Sequence, residues 1–334
     1  MVKTQPVCMT RRHFYEKRKM QPTFMTAGHF VDGFYTDAYG TRAYKLYIPS
    51  GYAGQTPALL VMLHGCSQNP DEFAVGTRMN TLAETGVFLV VYPGQPSSAN
   101  ISRCWNWFRR EDQQRGAGEP ALLAGLTRQI MATYHVDGSR VFVAGMSAGA
   151  AMSVILGATY PDLYAAVGAH SGLAYGAAHD LATALAAMRD GAGMPAPWGG
   201  RAAGATGLPA HVVPTIVFHG DRDLTVNVAN ADHVLAPWVD ADDGRDAMAG
   251  TDQRVTVDRG QVPGGHAYTR SIYHDPQGRA LMEKWLVHQM GHAWSGGSPG
   301  GWHTDPQGPN ASAELVRFFS EHPLECSQPL RVTA

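Results

Sequence analysis

Five residues near the middle of the chain, Gly145-Met146-Ser147-Ala148-Gly149, constrain its fold more than any other stretch. The residues before them, 140–144, form an apolar run with β-branched side chains that is typical of a buried strand. The residues after them, 150–159, are rich in Ala, Met, Leu and Ile and favour a helix. A G-x-S-x-G sequence between a strand and a helix predicts a nucleophile elbow, the tight turn that presents a serine hydroxyl.

The two glycines of this segment have a physical reason to be there. The turn brings the strand and helix backbones close together, and a Cβ at Gly145 or Gly149 would clash. The alternative interpretation is a glycine-rich turn whose serine has no chemical role. The choice between them depends on whether the rest of the chain supplies groups that would make Ser147 reactive.

Apolar runs alternate with helical patterns along most of the chain. Continuous apolar runs predict buried strands, and an alternating run at 42–49 predicts a half-buried edge strand. The predicted strands are 42–49, 58–63, 87–92, 140–144, 165–169, 215–218, 253–259, 267–274 and 281–287. The predicted helices are 71–84, 121–134, 150–159, 180–189, 227–238 and 310–322. This alternation predicts an α/β fold whose central sheet is mostly parallel, with helices on both faces.

The chain has 334 residues and no internal repeat, which predicts a single folded domain. We expect a polar, mobile lead-in at 1–30, the domain at 31–322 and a tail at 323–334. Weak patterning with many Ala, Gly and Pro residues at 173–213 predicts an insertion or lid within the domain.

Composition excludes several classes of partner. With 16% charged residues and a net charge of −2, the chain gives no reason to expect nucleic acid or an anionic membrane surface. No run of roughly 18 apolar residues occurs, so no transmembrane segment is expected. The basic residues within 1–30 are not followed by an apolar segment, so no secretory signal is visible. Two interpretations remain: a cytoplasmic protein, or a chain that begins after a removed signal.

The sequence predicts neither a metal nor a cofactor. The histidines show no close paired spacing such as H-E-x-x-H, and the glycine-rich run 296–301 lacks the lysine of a phosphate-binding loop. The four cysteines, Cys8, Cys66, Cys104 and Cys326, are too few for a disulfide scaffold but allow one or two bridges.

A serine hydroxyl needs a base to take its proton and a carboxylate to orient that base. In one group of serine hydrolases these residues follow the serine in the order acid, then histidine. Asp223 follows a later predicted strand, and His292 comes after another and just before the last helix. Asp221 lies in the same loop as Asp223 and is the alternative acid.

His292 competes for the base role with other histidines in the second half of the chain. Flanking glycine and a place before the last helix favour it; the competitors are His266, His274 and His288. The oxyanion of an acyl transfer needs two backbone N–H donors. We expect them from Ala148, directly after the serine, and from Cys66, in the loop after an early strand.

Five blocks of the sequence occur together in one known family. The blocks are Leu63-His64-Gly65-Cys66, residues 103–108 (RCWNWF), residues 145–150 (GMSAGA), residues 219–223 (HGDRD) and residues 291–297 (GHAWSGG). They resemble those of the poly(3-hydroxybutyrate) depolymerase family of esterases, which is related to feruloyl and acetylxylan esterases of carbohydrate esterase family 1. The resemblance runs from about Ala43 to Phe319 and implies an α/β-hydrolase fold. It also implies a catalytic triad of Ser147, Asp223 and His292. Because the family has secreted members, the resemblance allows an extracellular location.

The function that this resemblance implies is cleavage of 3-hydroxybutyrate oligomers, polyester or short-chain esters through an acyl-enzyme, without a cofactor. One alternative is a feruloyl or acetylxylan esterase that acts on plant polysaccharide. Another is a polymer-binding protein whose site no longer catalyses.

Two further expectations concern the loops around this site. Cys66 and Cys104 each lie next to a site block, so a disulfide between them would brace the oxyanion loop; the alternative is two buried free thiols. Trp105, Trp107 and Trp294 lie in loops and are expected to bind substrate, since tryptophan offers a large apolar area. The alternative is that they pack the loops against the sheet. Trp105 and Trp107 are two residues apart, so both should face the same side.

Overall fold

The computed structural model describes residues 28–191, 213–239, 255–275 and 277–324. Most of the expected lead-in (1–27), residues 192–212 of the expected insertion, and the tail from 325 onward lie outside the described residues.

Strands and helices alternate through the first two thirds of the described chain. The strands are β1 (His29–Asp37), β2 (Gly40–Ile48), β3 (Leu59–Leu63), β4 (Leu89–Pro93), β5 (Val141–Met146), β6 (Ala166–His170), β7 (Thr215–Gly220), β8 (Val255–Gln261), β9 (Ala267–His274), β10 (Ala280–Val287), β11 (Trp294–Ser295) and β12 (Thr304–Asp305). The helices are α1 (Pro70–Thr77), α2 (Met79–Gly86), α3 (Gly118–Tyr134), α4 (Ala148–Thr159), α5 (Leu181–Asp190), α6 (Ala229–Val239) and α7 (Ala311–Glu321), with a 3-10 turn at Arg110–Gln113. Within the described ranges, no helix combines the length and the apolar character needed to span a bilayer.

Ten strands form one sheet in the order β1-β2-β4-β3-β5-β6-β7-β10-β9-β8. The six central strands, from β4 to β10, pair in parallel, while antiparallel strands extend the sheet at both edges. Parallel strands end at the same edge of a sheet, so the loops that follow β3, β5, β6, β7 and β10 converge there.

The sheet separates two apolar cores. Successive side chains of a strand point to opposite faces, so Leu59, Val61 and Leu63 of β3 join one core, whereas Leu60 and Met62 join the other. Helices α3, α4, α5 and α6 cover the first face, and α1, α2 and α7 cover the second. The predicted mostly parallel sheet with helices on both faces is therefore confirmed.

The first strand was not predicted from the sequence. β1 begins at His29, inside the stretch expected to be a lead-in, and pairs antiparallel with β2. Its residues alternate between half-buried and exposed, and Phe34 points outward. An edge strand with apolar residues on its exposed face lacks the alternation that identifies a half-buried strand.

The single helix predicted at 71–84 is two helices. Arg78 adopts a left-handed conformation with φ of 55°, which ends α1 and begins α2. Asn69 caps α1, because its side chain accepts a hydrogen bond from the Glu72 amide at 2.9 Å. Pro70 follows the cap at the first helical position, where its missing N–H has no consequence.

Candidate active site

Ser147 stands at the turn between β5 and α4, as the elbow sequence predicts. Its backbone has φ of 56° and ψ of −121°, a conformation that costs free energy for a residue with a side chain and persists only where the surroundings enforce it. The surroundings here include a hydrogen bond from the Ser147 amide to the carbonyl of His170, at 2.9 Å. The turn leaves the serine side chain at the carboxyl end of the sheet.

Close backbone packing explains both glycines of the elbow. A Cβ on Gly145 would lie 2.4 Å from the carbonyl carbon of Gly149, and a Cβ on Gly149 would lie 2.1 Å from the carbonyl oxygen of Leu63. Neither position accepts any side chain without movement of the backbone. The elbow therefore packs directly on the end of β3, which leads into the loop at His64.

Asp223 and His292 are hydrogen-bonded to each other. Asp223 follows β7, His292 follows the neighbouring β10, and His292 Nδ1 lies 2.6 Å from Asp223 Oδ2. Because Nδ1–H donates to the carboxylate, Nε2 carries the lone pair that can accept a proton from a serine hydroxyl. A histidine held in this way can act as a general base that the carboxylate orients.

The Asp223 carboxylate is buried and fully engaged. Its Oδ1 accepts hydrogen bonds from the amides of Thr225 and Val226, at 2.9 and 2.8 Å. Its Oδ2 also lies 3.4 Å from Nε2 of His219. Although burial disfavours the charged form, the hydrogen bonds from His219 and His292 hold the pKa of Asp223 well below its usual value. The group is therefore an anion at neutral pH.

Asp221, the alternative acid, contacts a different histidine. Its carboxylate accepts a hydrogen bond from the Gln289 amide at 2.6 Å and lies 2.9 Å from His288 Nδ1. Of the competing histidines, His266 pairs with Asp305. These contacts favour Asp223 and His292 as the orienting acid and the base.

The loop after β3 offers an unused backbone donor beside Ser147. The amide of Gly65 donates to the side chain of Gln68 at 2.9 Å, and the amide of Ser67 donates to the Ser102 carbonyl at 2.7 Å. Between them, the amide of Cys66 has no acceptor among the described residues. A Cβ on Gly65 would lie 3.6 Å from the Cβ of Ser147, which places this loop against the serine.

The second expected donor is Ala148, the first residue of α4. The first amides of a helix have no acceptor within it, so the Ala148 N–H is free of helical hydrogen bonding. Together with the Cys66 amide it could bind a negatively charged oxygen at the Ser147 side chain.

Residues from the long loop between β4 and α3 hold the Cys66 loop in place. A disulfide joins Cys66 to Cys104. The Trp105 indole N–H donates to the His64 carbonyl at 3.1 Å, and His64 Nε2 accepts from the Gln95 amide at 3.1 Å. Burial lowers the pKa of His64 to about 4, so its imidazole is neutral and keeps this acceptor at neutral pH.

The tryptophans expected to bind substrate are buried in the core, so that expectation is corrected. Trp105 is 0% exposed, Trp107 5% and Trp294 1%. The Trp294 indole N–H donates to Ser312 Oγ at 3.1 Å, which satisfies its polar atom inside the protein. Trp105 and Trp107 do share one core, as their spacing predicts. The three side chains support the loops and leave almost no surface for a ligand.

The aromatic side chain that does face solvent near the site is Trp302, which sequence reasoning missed. It is 54% exposed and stacks on His303, with ring centroids 5.6 Å apart. The His303 ring in turn meets the His292 ring edge-on, at 6.4 Å. The Trp302 carbonyl accepts a hydrogen bond from Gln68, whose side chain also binds Gly65. The sequence does contain a signal, because Trp302 directly follows the glycine-rich run 296–301.

Two aliphatic side chains next to site residues are also exposed. Leu224 is 99% exposed and follows Asp223, and Ile101 is 92% exposed and precedes Ser102, which binds the Cys66 loop. Both follow strands that end at the same edge of the sheet as β5, and exposed apolar side chains that lie together mark surfaces that bind apolar ligands. Among the described residues, no group of three or more His, Cys, Asp or Glu side chains is placed to hold a metal ion.

Comparison with known proteins identifies a family and several related esterases. Residues 42–261 match the family model described as Esterase PHB depolymerase. The chain is 33% identical over 264 residues to poly(3-hydroxyalkanoate) depolymerase C of Paucimonas lemoignei, in an alignment that covers 78% of this chain and 60% of that protein. It is 29% identical over 224 residues to acetylxylan esterase A of Talaromyces purpureogenus, with 64% of this chain and 57% of that protein covered. The chain thus spans about 60% of the length of these curated relatives.

The fold also matches a solved structure. Acetyl xylan esterase from Aspergillus awamori superimposes with a TM-score of 0.67 and 22% identity, covering 89% of this chain and 100% of that one. The fold is that of an α/β-hydrolase. On the family match and its coverage, the chain belongs to the PHB depolymerase family of esterases.

Proposed function

We propose that this protein is a serine hydrolase of carboxylic esters, with Ser147 as nucleophile, His292 as general base and Asp223 as the orienting acid. The observation that carries the proposal is the hydrogen bond between His292 Nδ1 and the buried Asp223 carboxylate, formed at the sheet edge where Ser147 stands on its elbow. The unused Cys66 amide beside Ser147 supports it further.

The first half of the proposed reaction forms an acyl-enzyme. Ser147 Oγ attacks the ester carbonyl carbon while His292 Nε2 takes the hydroxyl proton. The carbonyl oxygen becomes an oxyanion, which accepts hydrogen bonds from the amides of Cys66 and Ala148. When the tetrahedral intermediate collapses, the C–O bond to the alcohol breaks, and the leaving alkoxide receives the proton from His292. Asp223 stabilises the imidazolium that exists between these steps.

The second half regenerates the serine. His292 Nε2 removes a proton from water, and the resulting hydroxide attacks the acyl carbon. Collapse of the second oxyanion breaks the bond to Ser147 Oγ, which takes the proton back from His292. The products are a carboxylic acid and an alcohol, and this chemistry uses no cofactor.

We further propose that the substrates are 3-hydroxyalkanoate oligomers or polyester chains, together with short-chain esters. Three exposed apolar side chains support an apolar and extended ligand: Ile101 and Leu224 in the segments after β4 and β7, and Trp302, which stacks on His303. The relative named poly(3-hydroxyalkanoate) depolymerase C supports the same substrate class. The acetylxylan esterase relative supports the alternative, an acetyl ester on a polysaccharide.

The test of the reaction uses Ser147→Ala, His292→Ala and the double variant on p-nitrophenyl butyrate. Each single change should remove nearly all turnover, and the double variant should be little worse, because residues that act as one unit are not additive. Circular dichroism and melting temperature confirm that each variant is folded. Full activity of folded Ser147→Ala would overturn the proposed function, and the lack of any p-nitrophenol release by the wild type would favour a non-catalytic binding protein.

A substrate panel separates the two ester classes. It contains 3-hydroxybutyrate oligomers of increasing length, amorphous polyester granules, acetylated xylan and methyl ferulate. We expect kcat/KM to be highest for the hydroxybutyrate oligomers and to rise with their length. A preference for acetylated xylan or methyl ferulate would instead establish the polysaccharide esterase.

A further inference from the structure

A buried histidine outside the triad, His170, contacts both halves of the site. It is the last residue of β6, which lies in the sheet between β5 and β7. Nucleophile and acid therefore follow the two strands that flank His170. Its side chain is buried, and the reaction proposed above gives it no role.

The backbone of His170 holds the nucleophile. Its carbonyl accepts the hydrogen bond from the Ser147 amide at 2.9 Å, and its register partner in β5 is Met146, the residue before the serine. Because Ser147 has a strained backbone conformation, a fixed acceptor for its amide helps to keep it there.

The ring of the same residue holds the segment that carries the base. His170 Nε2 accepts a hydrogen bond from the Ser295 amide at 3.0 Å. The Trp294 ring stacks on the imidazole, with centroids 4.9 Å apart, and Phe218 also stacks on it, at 5.7 Å. Ser295 and Trp294 come shortly after His292, so these contacts fix the base segment against β6.

The hydrogen bonds define the tautomer of His170. A backbone amide can only donate, so Nε2 must be unprotonated, and the proton is on Nδ1, which lies 3.2 Å from Ser171 Oγ. Complete burial, with a smaller contribution from the neighbouring His219 and His292, lowers the pKa of His170 well below its usual value. The acceptor is therefore kept at neutral pH.

We propose that His170 is a positioning residue, which sets the placement of His292 relative to Ser147 by binding the nucleophile through its carbonyl and the base segment through its ring. This inference rests on the proposed function. If His170 acts in this way, turnover requires the hydrogen-bond acceptor at its Nε2 as well as the packing of its ring.

Two variants of His170 separate the effect of its hydrogen-bond acceptor from the effect of its ring packing. His170→Phe keeps a flat ring for Trp294 and Phe218 but presents no acceptor to Ser295. His170→Gln loses the ring but can place its side-chain oxygen near the position of Nε2. We expect kcat of His170→Phe to fall about 100-fold with KM almost unchanged, since small displacements of reacting groups have effects of this order. His170→Gln should keep kcat within about fivefold of the wild type.

Phe218→Leu is the matched control for packing. It removes the Phe218 ring that stacks on His170 and leaves the bond to Ser295 in place. It should lower the melting temperature while leaving kcat, measured well below that temperature, nearly unchanged. A wild-type kcat in folded His170→Phe would overturn the proposal. A loss of kcat that follows the loss of stability in all three variants would also overturn it, because packing alone would then explain the effect.

A readout that does not need a substrate distinguishes this inference from the proposed function. The proton between His292 Nδ1 and Asp223 Oδ2 should give a far-downfield resonance in the proton NMR spectrum, because the bond is short and charge-assisted. The resonance should shift or disappear in His170→Phe and persist in His170→Gln. If the wild type cleaves no ester but the resonance responds in this way, only the proposed function fails. If esters are cleaved and the resonance and kcat are indifferent to His170→Phe, only the positioning role fails.

Discussion

The carboxylate of Asp221 lies 2.9 Å from Nδ1 of His288, and this pair parallels the pair of Asp223 and His292, at 2.6 Å. Both pairs join the segment after β7 to the segment after β10. They differ in solvent access, since the Asp223 side chain is fully buried while that of Asp221 is 32% exposed. Two similar hydrogen-bonded Asp–His pairs thus hold these segments together, and only one of them includes the proposed base.

This difference predicts unequal effects of two identical substitutions. Asp223→Asn should lower kcat by roughly 10⁴-fold, because an amide in this position favours the wrong tautomer of the base. Asp221→Asn removes a half-exposed pair and should leave kcat within about threefold of the wild type. Initial rates on p-nitrophenyl butyrate give the comparison. Loss of turnover in Asp221→Asn with retention in Asp223→Asn would reverse the roles of these two aspartates.

Trp302 should contribute to substrate binding and little to stability. Trp302→Ala removes a half-exposed side chain, so the free energy of unfolding should change by no more than about 0.5 kcal/mol. We expect kcat/KM to fall most for the longest hydroxybutyrate oligomers and least for p-nitrophenyl acetate. The contrast is Trp105→Ala, which should cost about 3–5 kcal/mol of stability because it empties a buried site. An unaltered dependence on chain length in Trp302→Ala would remove this tryptophan from the substrate site.

The Cys66–Cys104 bridge should affect both stability and rate. It links residues 38 positions apart, and a loop of that size predicts a stabilisation of about 4 kcal/mol from chain entropy. Cys104→Ser should also lower kcat at temperatures where the protein stays folded, because the Cys66 amide would lose an anchor of its loop. Thiol titration of the unfolded, unreduced protein checks the bridge itself. Titration of all four cysteines without reductant would show that it does not form.

The buried Asp112 should make stability depend on pH. Burial, and then the nearby charge of Glu119, raise its pKa from 3.8 to about 6. The folded state binds the proton of Asp112 more tightly than the unfolded state does. The stabilisation that comes from protonated Asp112 is therefore fully present below about pH 4 and is lost as pH rises through 6. Asp112→Asn should therefore raise the free energy of unfolding by about 2 kcal/mol at pH 8. Chemical denaturation at pH 8 and pH 4 measures this, and an equal effect at both values would contradict it.

The features that the sequence predicted correctly depend on local steric rules or on strand order. Gly145 and Gly149 could be explained in advance because the clash of a Cβ in a tight turn does not depend on the rest of the fold. The proximity of Asp223 and His292 could be predicted because both follow strands of a parallel sheet, and parallel strands all end at one edge.

The features that the sequence did not predict depend on the path of loops in three dimensions. A tryptophan in a loop can pack against any nearby apolar surface, and the sequence does not show whether that surface belongs to the core or to a ligand. Trp105 and Trp294 were therefore expected at the site but lie in the core, whereas Trp302 is exposed. The position of His170 next to both Ser147 and Ser295 likewise exists only after the strands are ordered in space.

The position of β10 beside β7 has a consequence for dividing the chain. Ser147 and Asp223 both precede the β8–β9 hairpin, and His292 follows it. A fragment that ends before β8 would carry the nucleophile and the acid, and its complement would carry the base. Turnover would then report the reassociation of the two fragments, so this sheet has the layout of a split enzyme whose halves join through the pairing of β7 with β10.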